Sequence, residues 1–109
     1  MSECTHMRCQ LAGPVSGMAR RAALAMFDEA QRALERAGAA SVWSPVRNVG
    51  SRTPWELAMR RCIRHLTGSC GPEMLVTLPG WESSAGAALE VAVARACGVR
   101  VVSVEEAVR

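Results

Sequence analysis

The sequence has no lysine, no tyrosine, a single aspartate and only two histidines among its 109 residues. These absences leave few side chains for proton transfer, and no Ser-His-Asp or Cys-His set can be assembled from the rest. No apolar run approaches the ~20 residues that span a bilayer. The amino terminus also lacks the charged start and apolar stretch of a secretion signal, so we expect a cytoplasmic protein without a membrane partner.

The five cysteines include no C-x-x-C pair. A disulfide framework or a zinc site needs cysteines at short, paired spacings. We therefore expect reduced thiols, mostly buried, and no metal. No dinucleotide or P-loop motif is present either, which predicts a protein without a bound cofactor.

The formal net charge is +3, and all 13 basic residues are arginine. A charge of this size does not indicate nucleic acid by itself. Arg60, Arg61 and Arg64, with His65, form a basic face on one predicted helix. We interpret this face as solvated, and binding of nucleic acid remains the alternative.

Short apolar segments alternate with amphipathic helical segments along the chain. Such alternation predicts βαβ units, a parallel sheet and helices on both of its faces. We expect a flavodoxin/Rossmann-like α/β sandwich with about four or five strands. The length suits one domain, 1–109, with a loose segment at 1–7. The predicted strands are Arg8–Ala12, Ala40–Trp43, Met74–Leu78 and Arg100–Val104, and the predicted helices are Met18–Ala37, Pro54–Leu66 and Ala85–Cys97.

Local motifs place the helix starts. Thr53 is a candidate cap, Pro54 suits the first helical position, and Glu56 completes a capping box. Ser83 or Ser84 is a candidate cap for the last long helix.

Two loops follow strands and precede helices, where open α/β sheets bind their ligands. The first loop is GPVSG, with Gly13, Ser16 and Gly17; small residues there allow a ligand close to the backbone. The second loop is PGWESSAG. Ser84 and Gly86 open a helix that offers N–H groups to an anion, and the Trp81 ring could stack on a base.

Glu90 lies in AALEVAVARA, a helix that is apolar almost all round and is therefore predicted to be buried. A buried carboxylate has a raised pKa, and such carboxylates in clefts are candidate catalysts. The alternative is a glutamate on a narrow exposed stripe near Arg95.

The segments LAGPVSG, TPWELAMRRCIRHL and LPGWESSAGAALEVAVARACGVRV follow one another in an order and spacing that resemble a known family. They look like small phage and bacterial domains that are similar to nucleoside 2-deoxyribosyltransferases and deoxynucleoside 5′-monophosphate N-glycosidases. The resemblance covers about residues 8–106, and LPGW-x-x-S-x-G-x-x-x-E is its most specific part. It implies cleavage or exchange of an N-glycosidic bond, with Glu90 as the nucleophile.

The same resemblance assigns Ser84 and Gly86 to contacts with the sugar phosphate, and Gly13, Ser16 and Gly17 to the first ligand loop. It also implies assembly into a homodimer or larger homo-oligomer.

Two positions depart from the family pattern. Gln10 stands where a tyrosine is common, and Cys62 stands where an aspartate is common. In active relatives these groups orient the nucleophile and help to protonate the departing base. Glutamine is a poor acid, and a thiol replaces a carboxylate in proton transfer only with a strongly shifted pKa.

The sequence therefore leaves three hypotheses about function open. The first is a nucleoside or nucleotide N-glycosidase or transferase. The second is a non-catalytic domain of the same fold that holds a nucleotide as a sensor or sequestering protein. The third is an oligomeric interaction module, whose apolar helix face would include Leu89, Val93 and Cys97.

Overall fold

The computed structural model describes residues 1–109 and contains four strands and five α-helices. The strands are β1 (Arg8–Ala12), β2 (Ser41–Trp43), β3 (Met74–Thr77) and β4 (Arg100–Ser103). The helices are α1 (Arg20–Arg36), α2 (Pro45–Asn48), α3 (Trp55–Thr67), α4 (Ala85–Ala96) and α5 (Val104–Ala107), with a 3₁₀ turn at Trp81–Ser83.

The four strands form one all-parallel sheet in the order β2-β1-β3-β4. This is the order of the first four strands of a flavodoxin-like sheet, and helices cover both faces. The predicted α/β sandwich is therefore confirmed. The register pairs Gln10 with Leu75 and with Trp43 across the two neighbours of β1.

Side chains that alternate along the strands pack into two separate cores, one on each face of the sheet. Cys9 and Leu11 of β1 face α1, whose buried residues recur every three or four positions: Ala23, Phe27, Ala30 and Leu34. Ala12 and Leu75 belong to a second cluster, which packs against α3 and α4. Helix α1 is thus amphipathic in the way that its spacing predicts.

The segment after β2 is predicted to be a polar loop, and the structure shows that part of it is helical. Residues Pro45–Asn48 form the short helix α2, whose Val46 is 3% exposed and joins the first core. Helix α3 begins one residue later than its motif predicts. Pro54 is the N-cap and no side chain caps it, so the expected capping box of Thr53 and Glu56 is not formed.

The amino-terminal segment was expected to be loose, and the structure corrects this expectation. The Cys4 N–H donates to the Ala107 carbonyl at 2.9 Å, and the Ser2 hydroxyl donates to the Val108 carbonyl at 2.9 Å. The Cys4 side chain is fully buried in the first core. The segment is therefore held by the carboxy-terminal helix α5, a contact that local sequence patterns do not reveal.

The apolar face expected on α4 is partly open in the single chain. Leu89 is 46% exposed and Cys97 is exposed, whereas Val93 packs against the second core. All five cysteines are free thiols, and Cys4, Cys9 and Cys62 are buried. None of the helices has both the length and the apolar character that crossing a membrane would require.

Candidate functional site

A cavity of about 250 Å³ opens beyond the carboxyl end of β1. From β1 the chain continues to β2 on one side of the sheet, whereas from β3 it continues to β4 on the other side. The direction in which strands are added therefore reverses between β1 and β3. Ligands of open α/β sheets bind at such a switch point. Six residues predicted as site residues line this cavity: Gly13, Ser16, Cys62, Ser84, Gly86 and Glu90.

Glu90 contributes a buried carboxylate to the cavity. The side chain is 5% exposed, and its Oε2 atom is buried with no hydrogen-bond partner. Burial raises the pKa of Glu90 to about 7, and the neighbouring Cys62 thiol lowers it by a smaller amount. Near neutral pH the carboxyl group therefore exists in both protonation states, as a nucleophile or an acid–base catalyst would require.

Glu90 is placed there by helix α4, whose neighbouring residues are small. The Ser84 hydroxyl caps this helix by accepting from the Ala87 N–H at 3.3 Å, as expected. A Cβ atom on Gly86 would lie only 3.0 Å from Met59 Sδ, so the glycine lets α4 approach α3 closely. The predicted glycine thus has a packing role, in addition to its place in the cavity lining.

Cys62, on α3, lies beside Glu90. Burial raises the pKa of its thiol, and the neighbouring Glu90 carboxylate raises it further. The group is therefore a neutral thiol at physiological pH. It is a weak hydrogen-bond donor and cannot supply a proton as an aspartic acid would.

Gln10 lies beneath the cavity and does not line it. Its side chain is fully buried, and Nε2 donates to the Cys62 carbonyl at 3.1 Å. Its Oε1 lies 2.6 Å from His65 Nδ1. Because Nε2 is engaged as a donor, Oε1 must accept, and His65 carries its proton on Nδ1. Both polar atoms of the Gln10 amide are consequently held within the protein.

His65 was expected to be solvated with the basic face of α3, and the structure corrects that expectation. The ring stacks on Trp43 with centroids 4.5 Å apart and an interplanar angle of 11°. Its partial burial lowers the pKa. Strand β2, strand β1 and helix α3 are thus joined through one Trp43–His65–Gln10 contact chain, which fixes the position of Cys62.

Replacing Gln10 with Leu should therefore destabilise the fold by about 1–3 kcal/mol, because it removes both hydrogen bonds of this buried amide and leaves the His65 N–H without its acceptor. Urea denaturation followed by circular dichroism measures the difference. The matched control is Gln31→Leu, at the other glutamine, which makes no side-chain hydrogen bond and should stay within about 0.5 kcal/mol of wild type. Equal stabilities for both variants would contradict the role given to Gln10.

Of the predicted ligand residues, Gly17 and Trp81 lie outside this cavity, and Gly13 has a packing role in addition to lining it. Gly17 has φ of +83° and open space around it, so its turn conformation accounts for the glycine without a ligand. Gly13 lines the cavity, and a Cβ atom there would also lie 2.9 Å from Leu78 Cβ. Trp81 is half-buried against the second core and borders a different cavity, of about 580 Å³, on the α1 side of the sheet.

Among the lining residues that sequence reasoning missed, Arg20 and Trp55 have the largest polar or aromatic side chains. Arg20, the first residue of α1, is exposed and donates from Nη2 to the Val46 carbonyl at 2.9 Å. Arg20 is the positively charged residue among those that line the cavity. Trp55 begins α3, lines the cavity and is 49% exposed. A large aromatic ring at an exposed first helical position was the feature that could have indicated its role.

No group of three or more His, Cys, Asp or Glu side chains lies in a position to hold a metal ion. The cavity instead combines one buried carboxylate, one guanidinium, three serine hydroxyls and an indole ring. Such a lining suits an organic molecule with an anionic group and an aromatic ring.

Residues 7–103 match the family described as a domain of unknown function, DUF4406. The chain belongs to this family. The match includes all four strands and every residue named above in the cavity lining. Comparisons with curated proteins and with solved structures gave no match. The cavity of this DUF4406 domain therefore has to be interpreted from its own residues.

Proposed function

We propose that this DUF4406 domain cleaves or exchanges the N-glycosidic bond of a nucleoside or nucleotide, with Glu90 as the nucleophile. The observation that carries the proposal is the buried, unpartnered Glu90 Oε2 at the cavity. A buried carboxylate oxygen without a donor is unfavourable unless it serves a ligand or a reaction. The resemblance to deoxyribosyltransferases and N-glycosidases supports the same assignment independently.

The reaction would proceed by two displacements, as in a retaining glycosidase. The ionised Glu90 carboxylate attacks the anomeric carbon C1′, and the C1′–N bond breaks with its electron pair moving to the base. The base takes a proton from water, because no strong acid other than Glu90 lines the cavity. Water or a second base then attacks C1′ of the glycosyl ester, loses its proton and releases Glu90 as carboxylate.

The other lining groups would recognise the rest of the substrate. The half-exposed Trp55 ring in the lining is suited to stack on a nucleobase. Arg20 and the start of α1 are suited to a 5′-phosphate, because Ala19 at the N-cap leaves the first N–H groups of this helix without a side-chain partner. The first turn of α1 also carries no acidic residue that would compete with an anion. These features favour a nucleotide over an uncharged nucleoside.

Arg20→Ala should therefore weaken binding of a nucleoside 5′-monophosphate by about 10- to 100-fold, and leave binding of the matching nucleoside nearly unchanged. Isothermal titration calorimetry at constant ionic strength measures both. Arg21→Ala is the matched control, since Arg21 is the exposed neighbour outside the cavity lining. A loss that is equal for nucleotide and nucleoside would contradict a phosphate contact at Arg20.

The direct test of the proposed function is base release from a mixed pool of ribonucleotides, deoxyribonucleotides and their nucleosides, separated by chromatography. We expect a free base to appear with the wild-type protein and not with Glu90→Gln. Release by both proteins at the same rate would assign the activity to a contaminant or to another site. Release by neither would contradict catalysis by this chain.

One observation favours a second candidate, a non-catalytic nucleotide-binding domain. The Gln10 amide is satisfied inside the protein and the Cys62 thiol has a raised pKa, so neither group can protonate a departing base. This candidate predicts nucleotide binding without base release. The expected homo-oligomer likewise stays a prediction, which light scattering of the full chain would test.

A further inference from the structure

We infer that the substrate carries a ribose 2′-hydroxyl that donates to Glu90 Oε2, so that this site prefers ribonucleotides to their 2′-deoxy counterparts. The inference rests on the proposed function and deepens it by naming the class of sugar. No group of the protein donates a hydrogen bond to Glu90 Oε2. The substrate is therefore the source from which this oxygen can receive a donor.

The protein supplies no strong donor to Glu90 Oε2, which is buried without a partner. The Gln10 amide, which contacts Cys62, is not free to supply one, because Nε2 donates to the Cys62 carbonyl and Oε1 accepts from His65. Cys62 offers a thiol, which is a weak donor. The carboxylate is thus built into the cavity with one oxygen left for a group that arrives with the ligand.

The chemistry of attack places a sugar substituent beside that oxygen. When one carboxylate oxygen approaches C1′, the second oxygen comes within reach of the substituent on the adjacent carbon, C2′. In retaining glycosidases, the hydroxyl at this carbon makes a hydrogen bond that strengthens in the transition state. A ribose provides such a hydroxyl, whereas a 2′-deoxyribose provides only C–H groups.

A 2′-deoxyribonucleotide would therefore close the cavity over an unpaired carboxylate oxygen. The oxygen is already unpaired in the free protein, so the 2′-hydroxyl adds a hydrogen bond to a charged acceptor that the deoxy sugar cannot make. This gain corresponds to a difference in affinity on the order of 10- to 100-fold. This preference is opposite to the one that the resemblance to 2-deoxyribosyltransferases implies. The difference follows from the donors that are missing around Glu90 in this chain.

The experiment compares matched pairs of ribo- and 2′-deoxyribonucleoside 5′-monophosphates of adenine, guanine, cytosine and uracil. Dissociation constants are measured by calorimetry with the full chain at pH 8, above the pKa of about 7, so that Glu90 is ionised. Affinities are used rather than rates, because the 2′-hydroxyl also alters the intrinsic stability of the glycosidic bond. For a nucleotide that is hydrolysed during titration, its carbocyclic analogue, with and without the 2′-hydroxyl, takes its place.

Glu90→Ala tests whether the preference acts through this carboxylate. We expect wild type to bind at least one ribonucleotide about 10- to 100-fold more tightly than its 2′-deoxy partner. In Glu90→Ala the ratio should fall to within about twofold. Equal affinities in wild type, tighter binding of the deoxynucleotide, or a ribose preference that persists in Glu90→Ala would each overturn the inference.

These outcomes separate the inference from the proposed function. If bases are released but deoxynucleotides bind as tightly as ribonucleotides, the inference fails while the proposed function stands. If no nucleotide binds and no base is released, the proposed function fails and the inference fails with it.

Discussion

Glu90→Gln should reduce base release by at least about 1000-fold, because an amide cannot form the glycosyl ester on which the proposed reaction depends. Glutamine matches glutamate closely in size, so the cavity should keep its shape. Binding of the nucleotide should survive the change. The measurement is initial-rate release of free base, with the folded state of each variant confirmed by circular dichroism.

The pH dependence of the wild-type reaction should have a definite direction. The nucleophile must be ionised, and the pKa of Glu90 is raised to about 7. We therefore expect kcat/KM to rise about tenfold per pH unit below pH 7 and to level off above it. A profile that levels off near pH 4.5 would mean that the carboxylate titrates as if it were in water.

Glu82→Gln is the matched control for Glu90→Gln. Glu82 lies in the 3₁₀ turn just before α4, is exposed and does not line the cavity that contains Glu90. It should retain wild-type activity. If Glu90→Gln and Glu82→Gln are equally active, Glu90 is not the nucleophile and the proposed mechanism is wrong.

Much of the architecture could be predicted because the local patterns are strong. The apolar residues of α1 recur at helical spacing, and β3 is flanked by Pro72 and Pro79 and apolar on both faces. Predicted and observed ends differ by at most two residues for these elements. The parallel sheet followed from the alternation of strands and helices, which leaves few ways to connect them.

The errors in the fold arose where tertiary contacts outweigh local pattern. Val46 is buried by α1 and its core, so a segment that looks polar becomes the short helix α2. Cys4 is buried through hydrogen bonds to a helix that lies about a hundred residues away in sequence. Pro54 was predicted inside α3 and instead caps it without any side-chain bond.

The candidate site could be predicted only in part. Glu90 stood out because it is a lone carboxylate within an apolar helix, a pattern that reveals burial directly. Arg20 and Trp55 each begin a helix and reach the same cavity from distant parts of the sequence. Nothing local distinguishes Arg20 from other exposed arginines, and Trp55 stands out only as a large aromatic ring at the start of a helix. The engagement of Gln10 with His65 likewise depends on how α3 packs across β1.

The buried Glu90 carboxylate should also make the wild-type fold less stable as the pH rises. The pKa of this group is about 7 when folded and about 4.5 when unfolded, so between these values the folded state binds more protons than the unfolded state. The contribution of Glu90 to the free energy of unfolding is therefore fully present below about pH 4.5 and decreases until the pH passes about 7. The decrease should be about 3 kcal/mol.

Urea denaturation of wild type and Glu90→Gln at pH 5 and pH 8 tests this linkage. The change in the difference between the two proteins isolates Glu90, because other titrating groups contribute equally to both. Asp28 and Glu106, whose pKa values are lowered, contribute in the opposite direction and cancel in this comparison. Relative to the wild type, Glu90→Gln should gain about 2–3 kcal/mol on going from pH 5 to pH 8, or on the order of 10 °C in Tm. If the two proteins lose stability in parallel, the Glu90 carboxylate is hydrated and the destabilised nucleophile on which both the catalysis and the ribose preference depend does not exist.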